Sequence, residues 1–317
     1  MKKLQLIIIL ISLLMTSIYG QDNLSLRIKF ASVERANELL QQEDNFTDSW
    51  SQFDIDSRMH KPNSSKADLL NYISTQIREW TPDEMTKLAL VFQIVDQKIK
   101  EQGFAIDFPN DIYFIKTTAE EEGGAGGYTR ANYVVLQEAY VSKASEDDLM
   151  NIVVHELFHV LTRHNPEFRK AMYNIIGFKI MNEVQYPEKI RHYRITNPDA
   201  PQVDSYITLQ VDGQYKDCMM ILYSNRDYVD GHFFKYLNIG FLSLIGGENK
   251  SVEYKADMPV IYSMQDVSGF YEQVGKNTQY IIHPEEICAD NFVHTILSKK
   301  DLSDPEIIDK IRGLLKR

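Results

Sequence analysis

The chain has 317 residues, 44% hydrophobic and 25% charged, a composition that supports a sizeable core in one large domain or two modest ones and excludes collagen-like, low-complexity and wholly disordered chains. Its 34 Lys and Arg face 45 Asp and Glu, a formal charge of -11; that sign is wrong for gripping phosphate backbones, so no nucleic-acid partner is expected. The two cysteines, Cys218 and Cys288, are too few for a disulfide scaffold or a cysteine-built metal cluster, leaving either one bridge or two buried thiols.

Met1-Lys2-Lys3 and the apolar run that follows have the form of a signal peptide, the run being too short for a bilayer core that takes roughly 20 residues. Residues 1–20 are therefore read as a signal peptide cleaved near Gly20, and the mature chain as secreted or periplasmic with no stable membrane span. Residues 21–103 read as a helical region. Apolar spacing behind Ser32 predicts a helix over 32–42, and another is expected over 66–80. Thr81, Pro82 and Glu84 then supply a cap, a first-turn proline and a capping-box partner for a helix reaching Lys100. Ile112–Thr117 and residues 133–136 read as strands separated by a mobile glycine-rich loop at 123–127, which lacks the Lys-Ser/Thr of a phosphate-binding loop.

Ser145 and Asp148 predict the start of a helix over Glu146–His164 that stops before Pro166. A helix over 167–181 comes next, then a hairpin of strands 206–211 and 218–223 about Asp212-Gly213. The apolar stretch 233–245 fits a helix or a buried strand, and two helices opened by proline, 284–297 and Pro305–Leu315, end the chain.

The helix behind Ser145 contains His155-Glu156-Leu157-Phe158-His159. Histidines four apart share a helical face, with Cβ atoms roughly 5 to 6 Å apart, so both imidazoles can reach one ion. Zinc takes nitrogen ligands at about 2.0–2.1 Å, and it lowers the pKa of its water to about 7, where a neighbouring carboxylate such as Glu156 can assist deprotonation. The rest of the helix surface is apolar, from Ile152 to Leu161, which predicts burial with His155, Glu156, His159 and Arg163 on one polar side.

His155, Glu156 and His159 match the HExxH motif, and at this helix the chain resembles the zincin metallopeptidases. The resemblance implies that the histidines bind Zn2+ and that Glu156 is the general base. Thr162 and Asn165 stand where the metzincin pattern has its glycine and third histidine, which excludes that branch. The remaining expectation is a glutamate ligand, as in the thermolysin-like gluzincins. Glu286 is preferred, because the segment around it resembles the helix in which a ligand Glu is followed four residues later by Asp, here Asp290. An Asp so placed can accept the other ring N–H of His155 and fix its tautomer. Glu183 is the competing ligand; Pro187 stands at its corresponding partner position. Two departures stand out: Glu285 replaces the asparagine before the ligand, and the long interval from His159 to Glu286 requires an inserted subdomain.

The expected fold is thus α+β, zincin-like, with the helical N-terminal region and a catalytic domain over 104–317 carrying a β insertion at about 196–260. The implied activity is hydrolysis of a peptide or protein substrate, aligned on an edge strand at 133–136 with Gly126 and Gly127 allowing close approach. Tyr271, Tyr280 and His283 precede Glu286 and are candidate oxyanion stabilisers, though none matches a motif. Two rivals remain: a secreted binding protein on the same scaffold without turnover, and a structural zinc domain whose fourth ligand would be His164 or Glu183.

Overall fold

Side-chain caps open most of the N-terminal helices in the computed structural model, which describes residues 27–316; the expected signal peptide, residues 1–20, lies outside them. Strand β1 (Ile28–Phe30) leads into α1 (Val33–Leu40), α2 (Asn45–Asp48), α3 (Gln52–Arg58) and α4 (Lys66–Gln76), whose first turns are capped by Ser32, Asp44, Ser51 and Ser65. The stretch holding α2 and α3 carries no apolar periodicity, which is why sequence reading passes over it. The fourth helix stops at Gln76 rather than 80, because Ile77–Arg78 forms strand β2. Helix α5 (Pro82–Glu101) starts with the expected capping box of Thr81 and Glu84.

The first sheet adds β3 (Ile112–Thr117), β4 (Gly127–Arg130) and β5 (Tyr133–Gln137). Its order is β1-β3-β5-β4, with β2 also paired to β3; β1, β3 and β5 run parallel, β2 and β4 antiparallel to their neighbours. Two expectations change here. The N-terminal region is not purely helical, since β1 and β2 belong to this sheet. And 133–136 is an interior strand, as its unbroken apolar run suits burial on both faces; the edge is β4, formed from the end of the glycine-rich stretch.

After a short helix, α6 (Glu138–Lys143), the motif helix α7 (Glu146–His164) begins at Ser145, whose hydroxyl accepts from Asp148 N, with Glu146, Asp147 and Asp148 in its first turn complementing the helix dipole. Asn165 ends it and caps α8 (Pro166–Ile175) by accepting from Phe168 N. Gly177, at φ +80, turns the chain out of α8, so the segment expected to be helical to 181 becomes strand β6 (Phe178–Ile180).

Helix α9 (Glu188–Arg191) precedes a second, antiparallel sheet of β7 (Ser205–Val211), β8 (Gln214–Tyr223), β9 (Asn238–Ile245) and β10 (Ser251–Val252), ordered β10-β9-β8-β7-β6, with Ile261–Tyr262 also paired to β9. Asp212 and Gly213 both take positive φ, as the tight hairpin requires. This sheet begins before and ends after the 196–260 interval expected for the insertion. Helices α10 (Tyr271–Val274), α11 (Pro284–Ile296) and α12 (Pro305–Leu315) close the chain.

The fold is mixed α+β, and α7 lies at its centre, packed against α5, α8, α11, β4 and β5. Leu149, Val153, Leu157, Phe158 and Leu161 are fully or almost fully buried along it, each contributing about 1.5–3 kcal/mol. Cys218 and Cys288 are free, buried thiols within the same core, not a disulfide. Among the described residues, no helix is long and apolar enough to cross a membrane.

Candidate metal centre

Helix periodicity puts His155 and His159 on one face of α7, their ring centroids 4.8 Å apart, and the packing of α11 brings Glu286 to them. Glu286 Oε2 lies 3.0 Å from His155 Nε2 and 3.5 Å from His159 Nε2. A tetrahedral ion with bonds of about 2.0–2.2 Å sets its donors roughly 3.4 Å apart, so these gaps fit a metal ion. His159 is fully buried and its Nε2 makes no hydrogen bond, the state of a ring nitrogen held ready as a donor to a cation. Glu183 and His164 are exposed and lie outside the group.

The opposite ring nitrogens are held by carboxylates. His155 Nδ1 pairs with Asp290 Oδ1 at 3.0 Å, and Thr278 donates to the other Asp290 oxygen. His159 Nδ1 pairs with Glu285 Oε1 at 3.3 Å. Glu285 also accepts from the Thr162 hydroxyl and from Tyr173 Oη, the latter at 2.7 Å. Glu285, the residue that breaks the expected pattern, thus does for His159 what Asp290 does for His155.

Glu156 stands on the side of α7 that faces β4. Its Oε2 accepts from the Thr129 hydroxyl at 2.6 Å, and a Cβ at Gly127 would come within 3.0 Å of Oε1, so glycine there leaves the carboxylate its space. The segment 195–199 crosses the same region. Asn197 Nδ2 donates to Glu286 Oε1 at 2.6 Å, and Asp199 Oδ1 accepts from Thr129 N at 2.7 Å. Arg163 Nη2 donates to the Thr129, Pro198 and Asp199 carbonyls at 3.0, 2.8 and 2.8 Å. Both outward-facing backbone groups of the β4 edge at Thr129 are therefore bonded within the chain.

Two pockets flank this segment, and Pro198 and Asp199 line both. The larger, about 750 Å³, lies behind Thr162 and Glu285. The smaller, about 50 Å³, is lined by Gly127, Asn197, Phe233 and Tyr280; because Asn197 touches Glu286 and the Tyr280 ring lies 6.2 Å from that of His155, this one meets the candidate ligands. Of the three candidate oxyanion residues, only Tyr280 is here. Tyr271 is 41% exposed in α10, edge to face with Phe270, and His283 caps α11 by accepting from Glu285 N.

The charge balance is lopsided toward carboxylates. Burial opposes charge on His155, yet Asp290 and Glu286 push it up to about 10. Burial likewise opposes charge on His159, which Asp199, Glu286 and Glu285 raise well above the imidazole range. Glu286 is buried but held well below the carboxylate range by the two imidazoles. Glu156 and Asp199 are pushed up, by burial first. Tyr280, partly buried, is raised well above its ordinary value by desolvation and by the carboxylates of Glu286, Asp199, Glu156 and Asp290. A divalent ion among His155, His159 and Glu286 would offset this negative charge.

Asn197, Asp199, Thr129 and Thr278 join the centre from loops and a strand edge, and no spacing in the sequence marks them. Glu285 carried a usable signal, as a carboxylate beside the preferred ligand. No family model, curated protein or solved structure matches this chain.

Proposed function

We propose that the chain is an exported zinc metallopeptidase, secreted or periplasmic, with a zincin-like fold of the glutamate branch, and that it hydrolyses peptide bonds. The observation that carries this reading is the meeting of His155, His159 and Glu286 at spacings suited to one ion, with Glu156 beside that group rather than within it.

A zinc ion held by these three residues would supply Lewis acidity, acidifying water and drawing charge from the substrate carbonyl. Glu156, kept in place by Thr129, accepts the proton of the attacking water and returns it to the leaving amine. Asp290 and Glu285 hold a proton on each Nδ1, so that each Nε2 presents its lone pair. Tyr280 is assigned to the oxyanion. Peptide backbone would pair with β4 at Gly127, short of Thr129.

The second reading, a secreted binding protein on a zincin-like scaffold without turnover, draws on one observation: Asn197 and Asp199 cover Glu286 and Thr129 with the chain's own segment. Glu156→Gln separates the two. With zinc content unchanged, peptide hydrolysis should fall about 100-fold or more. Full activity in that variant would refute the assignment of the base, and a wild-type protein that binds zinc yet cleaves nothing in a mixed peptide library would favour the second reading.

A further inference from the structure

Outside the centre, and among the described residues, a separate set of metal-ligating side chains converges: His60, Glu120 and His232, whose ligand atoms lie within 4.8 Å of one another. They come from three distant segments. His60 follows α3, Glu120 opens the 3-10 turn Glu120–Glu122 ahead of β4, and His232 precedes the 3-10 turn Phe233–Tyr236. The two imidazoles meet edge to face with centroids 5.5 Å apart.

A tyrosine lies against one of them. Tyr228 Oη donates to the Gly231 carbonyl at 3.0 Å, so toward His60 Nδ1, 3.4 Å away, its oxygen can only accept. In the neutral imidazole this contact is met by a proton on Nδ1, which leaves the Nε2 lone pair free, the orientation that a supporting hydrogen bond gives a metal-binding histidine. All three side chains are exposed, so drawing their donors onto one ion takes only changes of rotamer at the surface.

We propose that His60, Glu120 and His232 form a second divalent-metal site, open to solvent, taking a transition-metal ion that favours imidazole, such as Zn2+, Ni2+ or Cu2+, over Mg2+ or Ca2+. The ion would tie the turns after α3 and before β4 to the segment whose Phe233 and Phe234 line the small pocket beside Gly127 and Tyr280. This inference does not depend on the proposed activity.

Metal-free protein titrated with Zn2+ by calorimetry, with bound metal counted after dialysis, tests it. His60→Ala/His232→Ala should bind one ion fewer than the wild type whether or not the first centre is loaded, and both proteins should unfold at the same temperature in EDTA. Equal stoichiometry in the two overturns the proposal. Glu120→Gln keeps both imidazoles and gives a check that does not rely on the double variant: affinity at this site should drop about tenfold or more, since losing even a carboxylate that only supports a ligand costs that much. Unchanged affinity there also overturns it.

Discussion

Arg58→Met removes a guanidinium that is wholly buried between two carboxylates. The Arg58 and Asp54 side chains are 0% exposed and that of Glu122 is 5% exposed. Arg58 donates to Asp54 Oδ1 at 2.7 Å, to both Glu122 oxygens at 3.0 and 2.8 Å, and to the Thr196 carbonyl at 2.9 Å. It also lies over the Phe46 and Phe233 rings. Methionine restores volume but leaves Glu122 without its bidentate partner, while Asp54 keeps the Ser51 and Thr196 backbone donors. Breaking a buried pair from one side costs about 3–5 kcal/mol, and the surviving bonds on Asp54 put the expectation toward the lower half of that range. Urea unfolding followed by far-UV circular dichroism should show a midpoint lower by about 1 M or more. Arg58→Met/Glu122→Leu should recover part of the loss, because the uncompensated charge goes too. Thr196 adjoins Asn197, so the single variant should also bind metal less tightly. A cost below about 1 kcal/mol would refute the view that this triad holds the 195–199 segment over the centre.

Metal content should be lost in Glu286→Ala and kept in Glu183→Ala; the reverse result would move the third ligand to Glu183. Glu84 is held below the carboxylate range, since Lys116, whose side chain is 2% exposed, and the Thr81 cap outweigh its partial burial. That contribution exists above the ordinary carboxylate pKa and fades as pH falls through the lowered one, so Glu84→Gln should cost about 1–3 kcal/mol at pH 7 and progressively less as acidification protonates Glu84 in the folded protein; a gap independent of pH would contradict it. Burial pushes the Cys218 thiol up to about 12 and Cys288 well above its ordinary value. The native protein should accordingly resist thiol reagents, and the urea-unfolded protein should react at both cysteines without prior reduction.

The starts of α1, α5 and α7 were legible because a cap acts within one turn of the backbone it satisfies. The hairpin at Asp212-Gly213 was legible for the same reason. The end of α4 was not, because pairing with β3 outweighs local helix propensity at Ile77–Arg78. Nor was the role of β4: Gly126-Gly127 look like loop residues, and only the pairing of Gly127–Arg130 with β5 makes them the sheet edge.

His155, Glu156 and His159 share one polar side of a helix by periodicity alone, and five consecutive residues suffice to say so. That Glu286 meets both imidazoles, that Glu285 rather than a neutral residue holds His159, and that Asn197 and Asp199 lie over the pocket depend on helix and loop packing between segments 70 or more residues apart. Contacts of that range leave no periodic trace in the chain, since which partners meet is decided by the burial of α7 against α11 and by the charge each buried group must find.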